Sequence, residues 1–219
     1  MNGMKPIRAV MIVIVVAVLA GTAFGQGTTT TELTTANSQR METSFGQLAA
    51  DALVDAAGTT LSMVPAVSFK SGTIPAGPVT AQDVRELLTQ PDESWAVVAL
   101  SGVELRETLE RSVSRAPQPN AGFLQVSGIA FTYDPNEPRG ARIVTLTVSA
   151  EQVQPDGRYE VAMPLSLAKG GSGYFVIFTE QDIIRSGTST MVDLIVRYAA
   201  GRGTVSYTGQ GRVTAANGG

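Results

Sequence analysis

Histidine and cysteine are both absent from this 219-residue sequence. Without histidine there is no Ser-His-Asp triad, no imidazole general base and no histidine-containing zinc-hydrolase ligand set. Without cysteine there is no thiol nucleophile, thiolate metal site or disulfide framework. Charge is nearly balanced, with 16 Lys+Arg against 19 Asp+Glu and a net charge of −3. That balance gives no electrostatic reason to expect nucleic acid or an anionic membrane as partner. The G-x-x-x-x-G-K-[ST] phosphate loop does not occur, and no internal repeat is visible. The length suits one domain of ordinary size, with a core large enough to stabilise it.

What is present begins with Lys5 and Arg8 ahead of the apolar run AVMIVIVVAVLAG, which exits through Ala23-Phe24-Gly25. A charged start, a short apolar stretch and a small-residue exit describe a secretory signal peptide over residues 1–25. An uncleaved anchor is the alternative, and both imply an exported, periplasmic or extracellular domain. An exported chain without cysteine relies on its core rather than on disulfide staples. Residues 26–40 are Thr-rich and lack apolar periodicity, so they read as a linker, with ordered structure expected from Met41. The folded domain is expected over 41–214 and a disordered tail over 215–219.

Within the body, ETSFGQLAADALVDAAG sets Phe45, Leu48, Ala49, Ala52 and Leu53 on one helical face and stops at Gly58. Thr80 with Asp83, and Ser101 with Glu104, form capping signatures at the starts of two further helices. In the second of these, Glu107 and Arg111 are spaced to pair across one turn. WAVVAL reads as a buried strand, and LSMVPAVSF as a strand that Pro65 places at a bulge or an edge. GFLQVSGIAFTYD, ARIVTLTVS and RYEVAMPLSL read as strands between the turn-rich segments DPNEPRG and QPDG. A last helix runs to Gly201, followed by a short strand, TVSYT. The pattern predicts a mixed α/β fold of the α+β type, with helices layered on sheets.

Several motifs suggest catalysis. Ser166 and Lys169 form an S-x-x-K element, and Lys70-Ser71-Gly72 resembles the K-T-G of penicillin-binding enzymes, but the order of the two is reversed and no S-D-N separates them. Ser172 in GGSGY misses the G-x-S-x-G elbow by one position and has no histidine to serve as base.

Taken together, a series of ordered blocks resembles the C-terminal domain of the 5′-nucleotidases. ETSFGQLAADAL is similar to that family's E-x-x-x-G-N-L-x-x-D-A. GPVTAQDVRELL resembles G-x-I-T-x-x-D-V, and VVALSGVELRETLE resembles V-V-x-L-T-G-x-x-L-x-x-x-L-E. GFLQVSGIAFTYD and GARIVTLTV follow the family's own wording. YEVAMPLSLAKGGSGY resembles Y-x-V-A-x-x-x-F-L-A-x-G-G-D-G-Y, and YTGQGRV the terminal G-R-I.

The resemblance implies a two-domain enzyme family. There an N-terminal metallophosphatase hydrolyses a phosphoric monoester on two metals, and the C-terminal domain binds the nucleoside. This sequence resembles only the second domain, so it is expected to need no cofactor or metal and to lack phosphatase activity alone. Carried over position by position, the implied substrate site falls on Lys70, Ser71 and Gly72, where the family's arginine is missing. It continues at Asp92, in place of one aromatic plate, with Trp95 nearby as a substitute or as a core residue. It ends at Ser166, in place of the second plate, and at the loop Lys169, Gly170, Gly171, Ser172, Gly173 and Tyr174, where Ser172 replaces an aspartate. Each stacking plate contributes roughly 1–3 kcal/mol per base, so these replacements imply an altered or lost nucleoside site. Three functions remain open: an exported non-catalytic binding module, the substrate-recognition half of a split nucleotidase acting with a separate metallophosphatase chain, and a structural envelope protein.

Overall fold

The structure is a computed structural model that describes residues 26–209 and 211–216. The signal-peptide reading and residues 217–219 of the expected tail lie outside the described residues. In chain order the first half contains β1 (Thr28–Thr29), β2 (Leu33–Thr34), α1 (Ser44–Ala57), β3 (Leu61–Pro65), β4 (Thr73–Ile74), β5 (Gly77–Pro78), α2 (Ala81–Leu87), β6 (Trp95–Ser101) and α3 (Gly102–Val113). The second half contains β7 (Leu124–Ser127), β8 (Ile129–Tyr133), β9 (Ile143–Val148), β10 (Glu151–Gln152), β11 (Arg158–Pro164), α4 (Leu165–Ala168), β12 (Ile183–Gly187), α5 (Met191–Arg202), β13 (Thr204–Val205) and β14 (Val213–Ala215). Among the described residues no helix is long and apolar enough to cross a membrane.

A five-stranded mixed sheet, ordered β12-β6-β11-β3-β7, forms the centre. Its inner strands are largely apolar on both faces, and side-chain alternation sorts them into two cores, whereas the edge strand β12 is mostly exposed. Val64, Val97 and Ala162 face α1, α2 and α5, together with Phe45, Leu48, Leu53 and Ile195. Leu61, Met63, Val98, Val161 and Met163 face the opposite way, onto α3 and a second sheet ordered β10-β9-β8-β14. The result is three layers: helices, the central sheet, then α3 with the outer sheet.

Helices α1, α2 and α3 begin where their sequences predict, whereas α5 runs past the expected Gly201 to Arg202 and the strand after it is confined to Thr204–Val205. Thr43 Oγ1 accepts the Gly46 N–H at 3.2 Å, and Gly58, at φ 61°, closes α1 in the left-handed conformation. Phe45, Leu48, Ala49, Ala52 and Leu53 are fully buried, and each of the larger side chains contributes roughly 1.5–3 kcal/mol by leaving water. Thr80 with Asp83 and Ser101 with Glu104 both form reciprocal capping boxes.

Other expectations are corrected. Pro65 sits at neither a bulge nor an edge. It is the last residue of β3, an interior strand between β11 and β7, and the chain leaves the sheet there in a 3-10 turn that needs no ladder N–H from it. The strand expected through Leu167 ends at Pro164, and Leu165–Ala168 turn into one helical turn. Residues 26–40 are not a free lead. Leu33 is fully buried, β1 lies between β13 and β5, and β2 pairs with β4. The threonine hydroxyls of this segment bond to distant backbone: Thr31 to the Tyr207 carbonyl at 2.9 Å and Thr35 to the Lys70 carbonyl at 2.7 Å. The tail reading shifts as well, because Ala215 belongs to β14 and the Ala216 N–H donates to the Tyr133 carbonyl at 2.7 Å.

Candidate functional site

The glycine loop follows β11 and α4. Gly170 (φ 85°), Ser172 (φ 55°) and Gly173 (φ 81°) all adopt positive φ within a few residues, so the chain reverses sharply. At Gly170 a Cβ would come within 2.7 Å of the Phe175 backbone, and at Gly173 it would strike the Arg111 guanidinium. Ser172 is the exception, because an L-residue in the left-handed region costs roughly 1–2 kcal/mol. Arg111 of α3 holds it there, donating from Nη2 to the Ser172 carbonyl at 3.0 Å. The same guanidinium lies 5.4 Å from the centre of the Tyr174 ring. The expected turn-to-turn partner of Arg111, Glu107, is therefore not where its charge is used. Tyr174 is fully buried, stacks on Phe178 with 5.7 Å between centroids, and donates its hydroxyl to the Gly122 carbonyl at 2.7 Å. Burial pushes its phenol pKa well above the ordinary value, with the Arg111 charge opposing that rise.

The other family positions are stitched to this loop in series. The Ser166 N–H donates to Glu93 Oε1 at 2.6 Å, and the Leu165 N–H to the Ser94 carbonyl at 3.0 Å. Ser166, Lys169 and Ser172 are exposed, and Gly171 is half-buried. Lys169 Nζ lies 3.6 Å from Glu180, which draws the amine into an exposed ion pair. Asp92 is exposed and held by Arg85 through two bonds of 3.0 and 2.9 Å, and that guanidinium lowers its carboxyl pKa. Trp95 is only 8% exposed, and its indole N–H donates to Ser189 Oγ at 3.0 Å, so its ring belongs to the core. Lys70 and Ser71 are exposed, and Gly72 is half-buried. The Lys70 N–H bonds the Leu87 carbonyl at 2.9 Å, and the Gly72 N–H bonds Thr35 Oγ1 at 2.9 Å. The structure thus links the 68–72, 87–94 and 165–174 segments, but offers neither Trp95 nor Tyr174 as an open ring.

Three features of this region escaped the sequence reading. Glu93 binds the Ser166 N–H, Arg111 reaches across from α3, and Phe175 is 65% exposed beside an equally open Val176 at 66%. The run YFVIF gave a signal for the last of these. Its aromatic and β-branched residues look like a strand, yet a 3-10 turn over Gly171–Val176 points two of them outward.

A second polar assembly joins the two ends of the domain. Asp51 Oδ1 accepts from Arg212 Nη1 at 2.7 Å, and Oδ2 accepts from Arg212 Nη2 at 2.9 Å and from the Tyr207 hydroxyl at 2.8 Å. Ser127 Oγ also donates to Asp51. Glu42, buried at 3% exposure, accepts from the Arg212 and Val213 N–H groups at 2.9 and 3.1 Å and from Gln47 Nε2 at 2.6 Å. Burial chiefly, then the Tyr198 hydroxyl and the Asp51 carboxylate, push the Tyr207 phenol pKa far upward. Glu42, Asp51 and Arg212 all come from the blocks that carry the resemblance, at opposite ends of the sequence.

A three-layered α/β domain with a glycine loop after its central strand, closed by a carboxylate–arginine clasp, defines the class of protein. The family model for the 5′-nucleotidase C-terminal domain matches residues 20–180, so the chain belongs to that family. Among curated relatives, the 5′-nucleotidase of Homo sapiens is 36% identical over 95 residues, 40% of this chain and 17% of that protein. The trifunctional nucleotide phosphoesterase YfkN of Bacillus subtilis is 28% identical over 148 residues, 64% of this chain and 10% of that protein. Among solved structures, a 5′-nucleotidase precursor from Thermus thermophilus superposes with a TM-score of 0.77 at 25% identity, covering 87% of this chain and 39% of that one. The Haemophilus influenzae NAD nucleotidase shares the fold, with a TM-score of 0.73 at 15% identity over 89% of this chain and 39% of that one. The chain therefore spans well under half the length of each of these proteins.

Proposed function

We propose that this chain is an exported, non-catalytic binding module of the nucleotidase C-terminal type whose nucleoside site is altered. The observation that carries this reading is the contrast within the glycine loop. Its backbone path is held by Arg111 and Tyr174, while the position aligned with an aromatic plate is an exposed serine, Ser166. Asp92, at the other plate position, is occupied by Arg85. With no histidine in the sequence, the chain also lacks the His-containing ligand set that the family's hydrolytic domain uses. Phe175 supports an altered rather than an abandoned site, because it offers a ring face to solvent beside the loop. A ligand with a planar ring, of nucleoside type, is the class that such a face would hold.

A second reading, the recognition half of a split nucleotidase, draws on the same surface. The adjacent exposed side chains Phe175 and Val176 form an apolar patch of the kind that a docking metallophosphatase chain would cover.

The test is thermal unfolding with adenosine and AMP, together with a phosphatase assay on AMP with added Mn²⁺ or Zn²⁺. Binding raises the melting temperature by mass action. The altered-site reading expects a saturable rise that Phe175→Ala abolishes, with no turnover of AMP. Metal-dependent turnover by the pure chain refutes the non-catalytic reading. Absence of any shift with either compound refutes the nucleoside-type ligand.

A further inference from the structure

A groove of about 730 Å³ runs between α5 and the start of α2, away from the residues of the glycine loop. Its floor is apolar: Val192, Val196 and Ala200 recur every fourth residue and so share one face of α5. Ala81 and Gly201 are small and keep its walls low. The volume lies within the range of roughly 300–1,000 Å³ usual for small-molecule sites, which are mostly apolar with a few polar groups at fixed places.

Those polar groups are Gln26, Asp193 and Arg197. Asp193 is committed to its own helix, where it closes the capping box with Thr190. Arg197 is exposed and has no hydrogen-bond or ion-pair partner among the described residues. An unpaired guanidinium above an apolar floor complements a ligand with an anionic head and an apolar body.

We propose that this groove binds a monocarboxylate of fatty-acid type, its acyl chain along Val192, Val196 and Ala200 and its carboxylate on Arg197. The site is separate from the nucleoside-type reading of the glycine loop, and neither depends on the other.

Sodium decanoate titrated into the purified chain, with thermal unfolding as readout, tests the proposal against 1-decanol as the uncharged counterpart. Two variants locate the site. A side chain at Gly201 meets nothing within 4 Å, so Gly201→Leu brings an apolar side chain to the groove without a clash. Because it replaces a helical glycine, it raises the unliganded melting temperature, from which the ligand-induced rise is then measured. Arg197→Gln removes the charge at an exposed position. Decanoate is expected to raise the melting temperature saturably, Gly201→Leu to abolish that rise, and Arg197→Gln to weaken decanoate about tenfold while leaving decanol unchanged. Absence of a saturable rise, an undiminished rise in Gly201→Leu, or decanol binding as tightly as decanoate would each overturn it.

Discussion

The clasp at Glu42, Asp51 and Arg212 and the loop at 166–174 are both built from blocks that resemble the nucleotidase C-terminal domain, yet their side chains match those blocks to different degrees. In the clasp both backbone and side-chain chemistry match the blocks, and the charged groups find partners: Arg212 bridges Asp51 directly, and Glu42 receives two backbone N–H groups. In the loop the glycine turn is held, but the side chains at the positions where the resemblance implies ligand contacts are small or engaged elsewhere. The difference follows from what each region must satisfy. A buried carboxylate that loses its cation leaves an uncompensated charge, which is expensive in every state of the protein. A ligand contact that is lost costs only affinity, so the loop can change side chains as long as its backbone is held from beneath.

The sharpest way to break this contrast is Arg212→Ala. It leaves Asp51 and the buried Glu42 without their guanidinium, while the backbone N–H bonds of residues 212 and 213 to Glu42 remain. Removing one partner of a largely buried pair costs roughly 3–5 kcal/mol, so the urea midpoint should fall steeply. A loss below about 1 kcal/mol, the range of an exposed ion pair, would show that the clasp is not what closes the domain. Next in size is Gly173→Ala, about 2 kcal/mol from the left-handed backbone and from displacement of Arg111. Ser172→Gly should act in the opposite direction, by relieving the same kind of strain at φ 55°. Denaturant melts of the two variants check both signs. If Gly173→Ala is neutral, Arg111 does not pin the loop.

The sequence made the helices and much of the central sheet legible because their signals are local. A capping box spans four residues, and the buried stripe of α1 repeats within one helix. Segment 26–40 was illegible because it is anchored mainly by non-local contacts. One buried leucine and a set of threonine hydroxyls, bonded to backbone as far as 176 residues away, leave no periodic trace. The order of the site's segments could be read from the motifs, but exposure could not. Trp95, open to two roles in the sequence, takes the core one, and Tyr174 of the loop is buried, whereas Phe175, in a run with strand-like composition, is the one turned outward. Periodicity shows which residues share a face only when the element type is right, and a 3-10 turn through YFV breaks that premise.

The smallest expected effect compares the two regions through their tyrosines. Tyr207 in the clasp and Tyr174 under the loop both have phenol pKa values raised above 10.0, chiefly by burial. A nearby carboxylate adds to the rise at Tyr207, and a guanidinium opposes it at Tyr174. In the unfolded chain both phenols ionise near the ordinary value, while in the folded protein they keep their protons. Their contribution is therefore fully present below about pH 10 and is lost as pH rises toward the folded values, at up to about 1.4 kcal/mol per pH unit for each tyrosine. Urea melts at a series of pH values from about 8 to 11 should show a plateau and then a decline. Tyr207→Phe should cost about 1 kcal/mol at neutral pH, for the lost bond to Asp51, and should make the alkaline decline shallower by one proton's worth. Tyr174→Phe should flatten it by the same amount, because both folded phenols keep their protons across this range. A decline left unchanged by either substitution would mean that the tyrosine concerned also gives up its proton in the folded protein, so that burial in the clasp or under the loop does not hold it.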